Sequence, residues 1–483
     1  MTDADHELLI LKKLASQTQL ELDPTQLSDA LECLSKLTTL FVNGINEAPA
    51  YKPIRTSRSP SNHLGETGSD PVVALQEAFE RILAEGSNNA SGRFFAYIPG
   101  GGIPVAAFGD FIGALTNRFS GYFSECPGAV EMENEVIRWL LQEFKFPDGA
   151  WGTFTSGGSM ANFFSILTAR ETRTQMDWAK SVLYLSDQAH HSLKKSLKMA
   201  GLAHVPTRIL QTQVDRKIIA SEFENMVRSD LAQGLIPWMC FGTAGTTNTG
   251  TVDPLNALSE ICQKFKIWFH VDGAYGGFFQ LAQSGQSVLQ GIEKADSVTL
   301  DPHKSLFMPY GSGILLVKDR QLLKKAFSES ADYLLDIVDH EQEPSPANYS
   351  GELSRPNRSL RLWLSLRVFG IAQFRAALEE KLLLTRWLWK KLSFISAIEL
   401  GPEPELSTLI FRAKPTSGAT QVSANQRTQI LLTQLLSNGK IRLSPTQLGD
   451  KLFLRVCILS FRSHIAEVQA CFEEISRIIG AEA

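Results

Sequence analysis

The chain has 483 residues, of which 43% are hydrophobic and 20% charged, and its formal net charge is −4. This is the balance of a soluble globular protein, long enough for one large domain with smaller appendages. A pI near 6.2 lacks the basic excess that a nucleic-acid or anionic-membrane partner requires.

The first residues, Met1 to Glu7, are acidic and show neither region of a signal peptide. No apolar run reaches the ~18 residues of a membrane span. Six scattered cysteines form no C-x-x-C pair, which predicts reduced thiols in a cytoplasmic protein, without a metal site or a disulfide framework.

From residue 7 to 45 leucines recur at three- and four-residue spacing, and the pattern predicts two amphipathic helices split near Asp23-Pro24. Such a pair cannot bury its own stripe and wants the main body or a second subunit. Residues 47 to 72, with Pro49, Pro53, Pro60 and Pro71 among small polar residues, read as an extended arm. From about 93 to 318 short apolar strands alternate with helices. The strands expected are Trp151–Thr155, Val182–Leu185, Arg208–Gln211, Pro237–Gly242, Ile267–Asp272, Val298–Leu300 and Gly313–Val317. That texture predicts an α/β fold with a mainly parallel seven-stranded sheet covered on both faces. Residues 327 to 357 break it with an acidic, proline-containing loop of the kind that forms lids. Helical periodicity returns from Leu360 to about Leu392, and strands near 408–411 and 452–458 with a last helix from His464 to Ile479 predict a small α+β C-terminal domain.

Several strand ends carry chemistry. Thr155-Ser156-Gly157-Gly158-Ser159 runs from a strand into a helix start, where close backbone N–H groups suit an anion. Ser156, Ser159 and Asn162 can add donors, and the Thr-rich loop after Gly242 can meet the same anion. His190 follows the strand Val182–Leu185, from where an imidazole can lie on a planar ring. Asp272 ends the strand Ile267–Val271, where a near-buried carboxylate needs a partner; a pyridinium N–H would supply one. Lys304 follows Val298–Leu300. As a Schiff-base amine it would need desolvation or nearby cations to lower its pKa.

The segments Ser186-Asp187-Gln188-Ala189-His190, His270-Val271-Asp272-Gly273-Ala274-Tyr275, Asp301-Pro302-His303-Lys304 and Arg355-Pro356-Asn357-Arg358-Ser359-Leu360-Arg361-Leu362-Trp363 resemble, in this order along the chain, those of the group II pyridoxal-phosphate amino-acid decarboxylases. The resemblance implies a pyridoxal 5'-phosphate cofactor and a transferase-like architecture of fold type I (aspartate aminotransferase-like). It implies an N-terminal segment at 1–92, a large domain at 93–375 and a small domain at 376–483, in a homodimer with shared active sites. By motif, Lys304 would hold the cofactor, with His303 beside it on the phosphate. Asp272 would pair with the ring nitrogen, His190 and Ala274 would cover the two ring faces, and Gly158, Ser159 and Thr246 would hold the phosphate. Arg355 would lie near the substrate carboxylate or anchor the lid. Tyr349 is the candidate lid tyrosine that returns a proton, and Tyr333 competes with it. Arg93-Phe94-Phe95-Ala96-Tyr97-Ile98-Pro99 resembles the pocket wall of the aromatic-amino-acid enzymes, with Tyr97 facing the substrate. Gly100-Gly101-Gly102 and Ser305 to Gly311 depart from that pattern. The expected reaction is decarboxylation of an aromatic L-amino acid. The alternatives are glutamate, aspartate or 2,4-diaminobutyrate as substrate, or another pyridoxal reaction such as transamination or aldehyde-forming oxidative deamination.

Overall fold

The computed structural model describes residues 3–18, 20–54, 65–173, 177–328, 342–415 and 421–481. The chain divides into two compact units, Met1–Asn88 and Asn89–Ala483.

The first unit is helical. Helix Asp3–Gln17 is followed by Pro24–Gly44 and Pro71–Leu83, and the predicted split near Asp23-Pro24 is where the second helix starts. Asp23 caps it, accepting from the backbone N–H groups of Thr25 and Gln26, while the Gln26 side chain accepts from the Asp23 N–H. Phe41 meets Phe79 edge to face across the second and third helices. Two short strands, β1 (Tyr51–Lys52) and β2 (Gly86–Ser87), pair antiparallel. Helix Asp3–Gln17 buries no residue, and Leu8, Leu11 and Leu14 are 50%, 60% and 53% exposed.

The second unit holds two sheets. Among the described residues the larger contains β3 (Trp151–Thr155), β4 (Ser181–Ser186), β5 (Thr207–Leu210), β6 (Ile236–Thr243), β7 (Trp268–Gly273), β8 (Ser297–Leu300) and β9 (Gly313–Val317), in the order β3-β9-β8-β7-β6-β4-β5. Strands β8, β7, β6, β4 and β5 run parallel, and β9 is antiparallel to both neighbours. All seven strands lie within a residue or two of the predicted positions. Most are buried along their length because helices cover both faces.

The smaller sheet contains β10 (Ile398–Leu400), β11 (Thr408–Ala413), β12 (Ser444–Leu448) and β13 (Lys451–Cys457), antiparallel in the order β10-β11-β13-β12. Leu409, Phe411, Leu454 and Val456 form a core with helices Ile371–Ser393, Gln421–Asn438 and Ile465–Ala481. The opposite face turns toward the main sheet, where Thr408 donates to the Tyr275 hydroxyl at 2.9 Å. Helix Ile371–Ser393 runs unbroken through the boundary expected at 375/376. No helix of the described residues is long and apolar enough to cross a membrane.

Candidate active site

In a parallel sheet the strands end together, and the loops that follow them converge on one edge. Here that edge opens on a cavity of about 260 Å³. It is lined by Ser156 to Met160 and Asn162 after β3, His190 and Ser192 after β4, and Thr243, Gly245 and Thr247 at the end of β6. Asp272, Ala274 and Tyr275 at the end of β7, Asp301, His303 and Lys304 after β8, and Ile98 complete it. Residues distant in sequence thus meet because their strands are neighbours.

The loop after β3 is a cradle of small residues. Gly157 has φ +155°, and a Cβ there would stand 3.2 Å from the His303 ring. A Cβ on Gly158 would meet Ala274 at 2.9 Å and the Asp301 carboxylate at 3.0 Å. Helix Gly158–Arg170 opens at this point, so its first N–H groups lie at the cavity, the arrangement that favours a phosphate. Across the cavity, Lys304 Nζ stands 2.9 Å from Asp301 Oδ2, and Asp301 Oδ1 is buried without a partner.

Lys304 was expected to carry a lowered pKa, and the structure gives the opposite. Burial does push toward the neutral amine, but the charge and hydrogen bond of Asp301, with Asp272 behind it, outweigh burial and hold the ammonium above its ordinary value. His303 is pushed down, first by burial, with Asp301 opposing; its Nδ1 is 2.5 Å from the Ser312 carbonyl. His190 is also lowered by burial, against the charge of Asp272. The Ser192 backbone N–H donates to its Nδ1 at 3.3 Å, and the Ser192 hydroxyl lies 2.7 Å from the same nitrogen.

Asp272 is 7% exposed. Its Oδ1 accepts from the Ala274 N–H at 3.2 Å and its Oδ2 from the Asn162 side-chain amide at 3.0 Å. Asn162, expected as a phosphate donor, thus serves the carboxylate.

Lys304, His303, His190, Asp272, Ala274, Gly158 and Ser159 therefore meet in one cavity. Four expected residues do not line it. Thr246 is turned into its own loop, its hydroxyl 2.7 Å from that of Thr249 and accepting from the Thr251 N–H; Gly245 and Thr247 reach the cavity instead. Arg355 is buried in an ion pair with Glu133 of helix Pro127–Glu143. Tyr349 is 6% exposed and packs on Trp151, 6.3 Å between ring centroids, at the end of β3 opposite to the cavity. Tyr333 lies outside the described residues. Tyr97 is 56% exposed with φ 55°, next to the lining residue Ile98. Non-glycine residues rarely hold that backbone conformation except where the surroundings fix it.

One residue without an expected role stands beside the cavity. Arg455, on β13, is 5% exposed and donates to the Thr247 carbonyl and, at 3.3 Å, to the Ser444 hydroxyl, which also accepts from the Tyr97 N–H at 3.2 Å. Among the described residues no carboxylate pairs with this guanidinium. The sequence signal was a charged residue in the middle of a strand whose neighbours, Leu454 and Val456, are fully apolar.

A family model for the pyridoxal-dependent decarboxylase conserved domain matches residues 62–414. The chain is 34% identical to an aromatic-L-amino-acid decarboxylase of Bacillus atrophaeus, over 86% of this chain and 88% of that one. It is 30% identical to tyrosine decarboxylase 2 of Arabidopsis thaliana, over 88% and 82%. The solved structure of Catharanthus roseus tryptophan decarboxylase in complex with L-tryptophan superposes with a TM-score of 0.87 at 25% identity, covering 96% of this chain and 100% of that one. The chain belongs to the pyridoxal-dependent decarboxylase family. It is an amino-acid carboxy-lyase whose cofactor is pyridoxal 5'-phosphate, and the cradle, the orphaned Asp301 oxygen, and the Lys304 amine and Asp272 carboxylate lining one cavity suit that group.

Proposed function

We propose that this enzyme decarboxylates an aromatic L-amino acid, as a cytoplasmic homodimer. The observation that carries the substrate class is the likeness to aromatic-amino-acid decarboxylases along most of the chain. The Phe94–Ile98 segment supports it, since it brings Ile98 to the cavity with Tyr97 beside it. The exposed leucine stripe of helix Asp3–Gln17 supports a second copy as partner.

When bound, the cofactor supplies a ring that accepts the electron pair of the breaking Cα–carboxylate bond. The chain's own residues hold and orient the reactants. Lys304 would provide the amine that holds the cofactor. Gly158 and Ser159 would hold its phosphate with backbone N–H groups, and His303 would flank it. Asp272 would accept a hydrogen bond from the protonated ring nitrogen, His190 and Ala274 would confine the ring between them, and Arg455 is the cation available to a substrate carboxylate. For the proton returned to that carbon, the burial of Tyr349 leaves Tyr333 as the tyrosine to test.

The decisive experiment incubates the enzyme with a panel of amino acids and reads carbon dioxide release and the amine by mass. Amines from tyrosine, tryptophan or dihydroxyphenylalanine are expected. Turnover of glutamate without turnover of these three would overturn the substrate class, and a keto acid product would overturn decarboxylation.

A further inference from the structure

Beneath the cavity lies a fully buried polar cluster. Asn162, His270, Ser297 and Thr299 are each at most 1% exposed, on helix Gly158–Arg170, β7 and β8. Its hydrogen-bond directions follow from its two ends, which are chemically fixed. The Trp268 indole N–H only donates, and it meets the Ser297 hydroxyl oxygen at 2.9 Å. The Asp272 carboxylate faces the Asn162 side chain at 3.0 Å, so the amide nitrogen of Asn162 must be the end turned toward it. The carbonyl end of Asn162 then lies 3.0 Å from His270 Nε2 and 2.8 Å from the Thr299 hydroxyl. A carbonyl only accepts, so His270 carries its proton on Nε2. Its Nδ1, 2.8 Å from Ser297 Oγ, accepts the serine hydroxyl. Trp268 donates to Ser297, Ser297 to His270, His270 to Asn162 and Asn162 to Asp272.

The second hydrogen of the Asn162 amide goes to Ser192 Oγ at 3.2 Å, and Ser192 in turn holds His190 Nδ1. Two acceptor positions and two donor positions on one amide are thus all used. Such a network, fully satisfied in a low-dielectric interior, is stiff, and each bond polarises the next.

We propose that Asn162, oriented by His270, is a positioning residue that fixes Asp272 against the ring nitrogen and His190 against the ring face together. The inference rests on the cofactor reading above. It assigns a function to a histidine that touches no reactant. Burial lowers the His270 pKa to about 4, with Asp272 and Ser297 opposing, so the imidazole stays neutral and keeps the direction of the chain throughout the neutral range. Among the described groups, Asp272 is the charge that acts on it.

The test is made on the holoenzyme loaded with cofactor carrying nitrogen-15 in its ring, whose shift reports ring protonation. Asn162→Ala and His270→Phe are each expected to lower the protonated-to-unprotonated ratio about tenfold at a given pH, one pKa unit. His270→Gln offers an N–H toward Asn162 and a carbonyl toward Ser297, and is expected to restore most of it. A ring shift and titration unmoved in Asn162→Ala or His270→Phe, in folded protein that retains cofactor, would overturn the proposal. If those variants do not fold, the histidine nitrogens of the wild-type apoprotein decide. A neutral Nε2–H imidazole between about pH 6 and 8 is expected, and an Nδ1–H tautomer or an imidazolium would overturn the assignment. Wild-type protein that takes up no coenzyme would defeat the cofactor reading instead, with the apoprotein signal still judging the network.

Discussion

The two ends of the main sheet both carry cavities, and the larger one is not the active site. At the amino ends of β6 and β7 a space of about 680 Å³ is lined by Trp238, Trp268, Cys262, Asp296 and Lys318 among others. At the carboxyl ends the space is about 260 Å³. The difference lies in what converges. At the amino ends, polar groups serve the fold: Asp296 accepts from the Phe269 N–H at 2.8 Å, and the Trp238 indole donates to the Ala169 carbonyl at 3.3 Å. At the carboxyl ends a helix start, an amine, a buried carboxylate and an imidazole point at one volume. Convergence of polar groups, more than size, marks the site.

Substitutions at the two ends should therefore fail in different ways. Lys304→Ala at the carboxyl end is expected to lower amine formation by on the order of 10⁴-fold, because it removes the group proposed to fix the cofactor. The folded protein should keep its melting temperature to within a few degrees, and the visible absorbance acquired on adding coenzyme should be lost. Trp238→Ala at the amino end is expected to do the reverse. Trp238 is 1% exposed and meets Trp178 edge to face, so its loss should cost about 3 to 5 kcal/mol in denaturant unfolding. Turnover per folded molecule should stay within about twofold, well short of the tenfold that 1.4 kcal/mol on the barrier would give. A large fall in turnover with unchanged stability would erase the contrast between the ends.

The two tyrosines sharpen the same contrast. Tyr349 sits near the amino end of β3 beside Trp151. Tyr349→Phe is expected to leave amine output within about twofold and to cost about 1 kcal/mol of stability. On the proposal that Tyr333 returns the proton, Tyr333→Phe is expected to slow amine formation about a hundredfold, or to divert product to aldehyde. Product analysis by mass for both variants checks this, and the opposite ranking would restore Tyr349.

Much of this was readable in the amino-acid order because strand ends are local features. Asp272 and Lys304 each terminate an apolar run, and an ionisable residue there is at a loop edge whatever the rest of the fold does. Side-chain direction in irregular loops is not local. Thr246 and Thr247 are adjacent, yet the first faces its own loop and the second the cavity. Asn162 was placed on the right helix and given the wrong partner, because the carboxylate it serves is 110 residues away. Helices Pro104–Thr116 and Pro127–Glu143 carried no distinct expectation; the first is apolar on most faces and shows no stripe to read. Arg355 and Arg455 were equally charged in sequence, and only packing revealed that the first is paired with Glu133 and that the second, among the described residues, is not paired with an acid.

The smallest expected effect concerns the charge on Lys304. In the cofactor-free protein Asp301 holds this amine as an ammonium above its ordinary pKa, against the pull of burial. Only the free amine can condense with an aldehyde. The rate at which apoprotein takes up coenzyme should therefore climb with pH through the neutral and alkaline range. Asp301→Asn removes the opposing charge, keeps the shape and leaves burial to dominate, so the amine pKa falls. Uptake at about pH 7.5 should then quicken several-fold, on the way to the tenfold that one pKa unit gives. The linkage to stability has the same sign. A group whose folded pKa is raised stabilises fully below its unfolded value, near 10.4, and loses that contribution only as pH rises through the folded value. The wild-type ion pair should hence show in melting curves only at high pH. Stopped-flow absorbance of coenzyme uptake across pH reads the kinetic half directly. Identical rates and identical pH dependence in wild type and Asp301→Asn would mean that the carboxylate does not govern the amine.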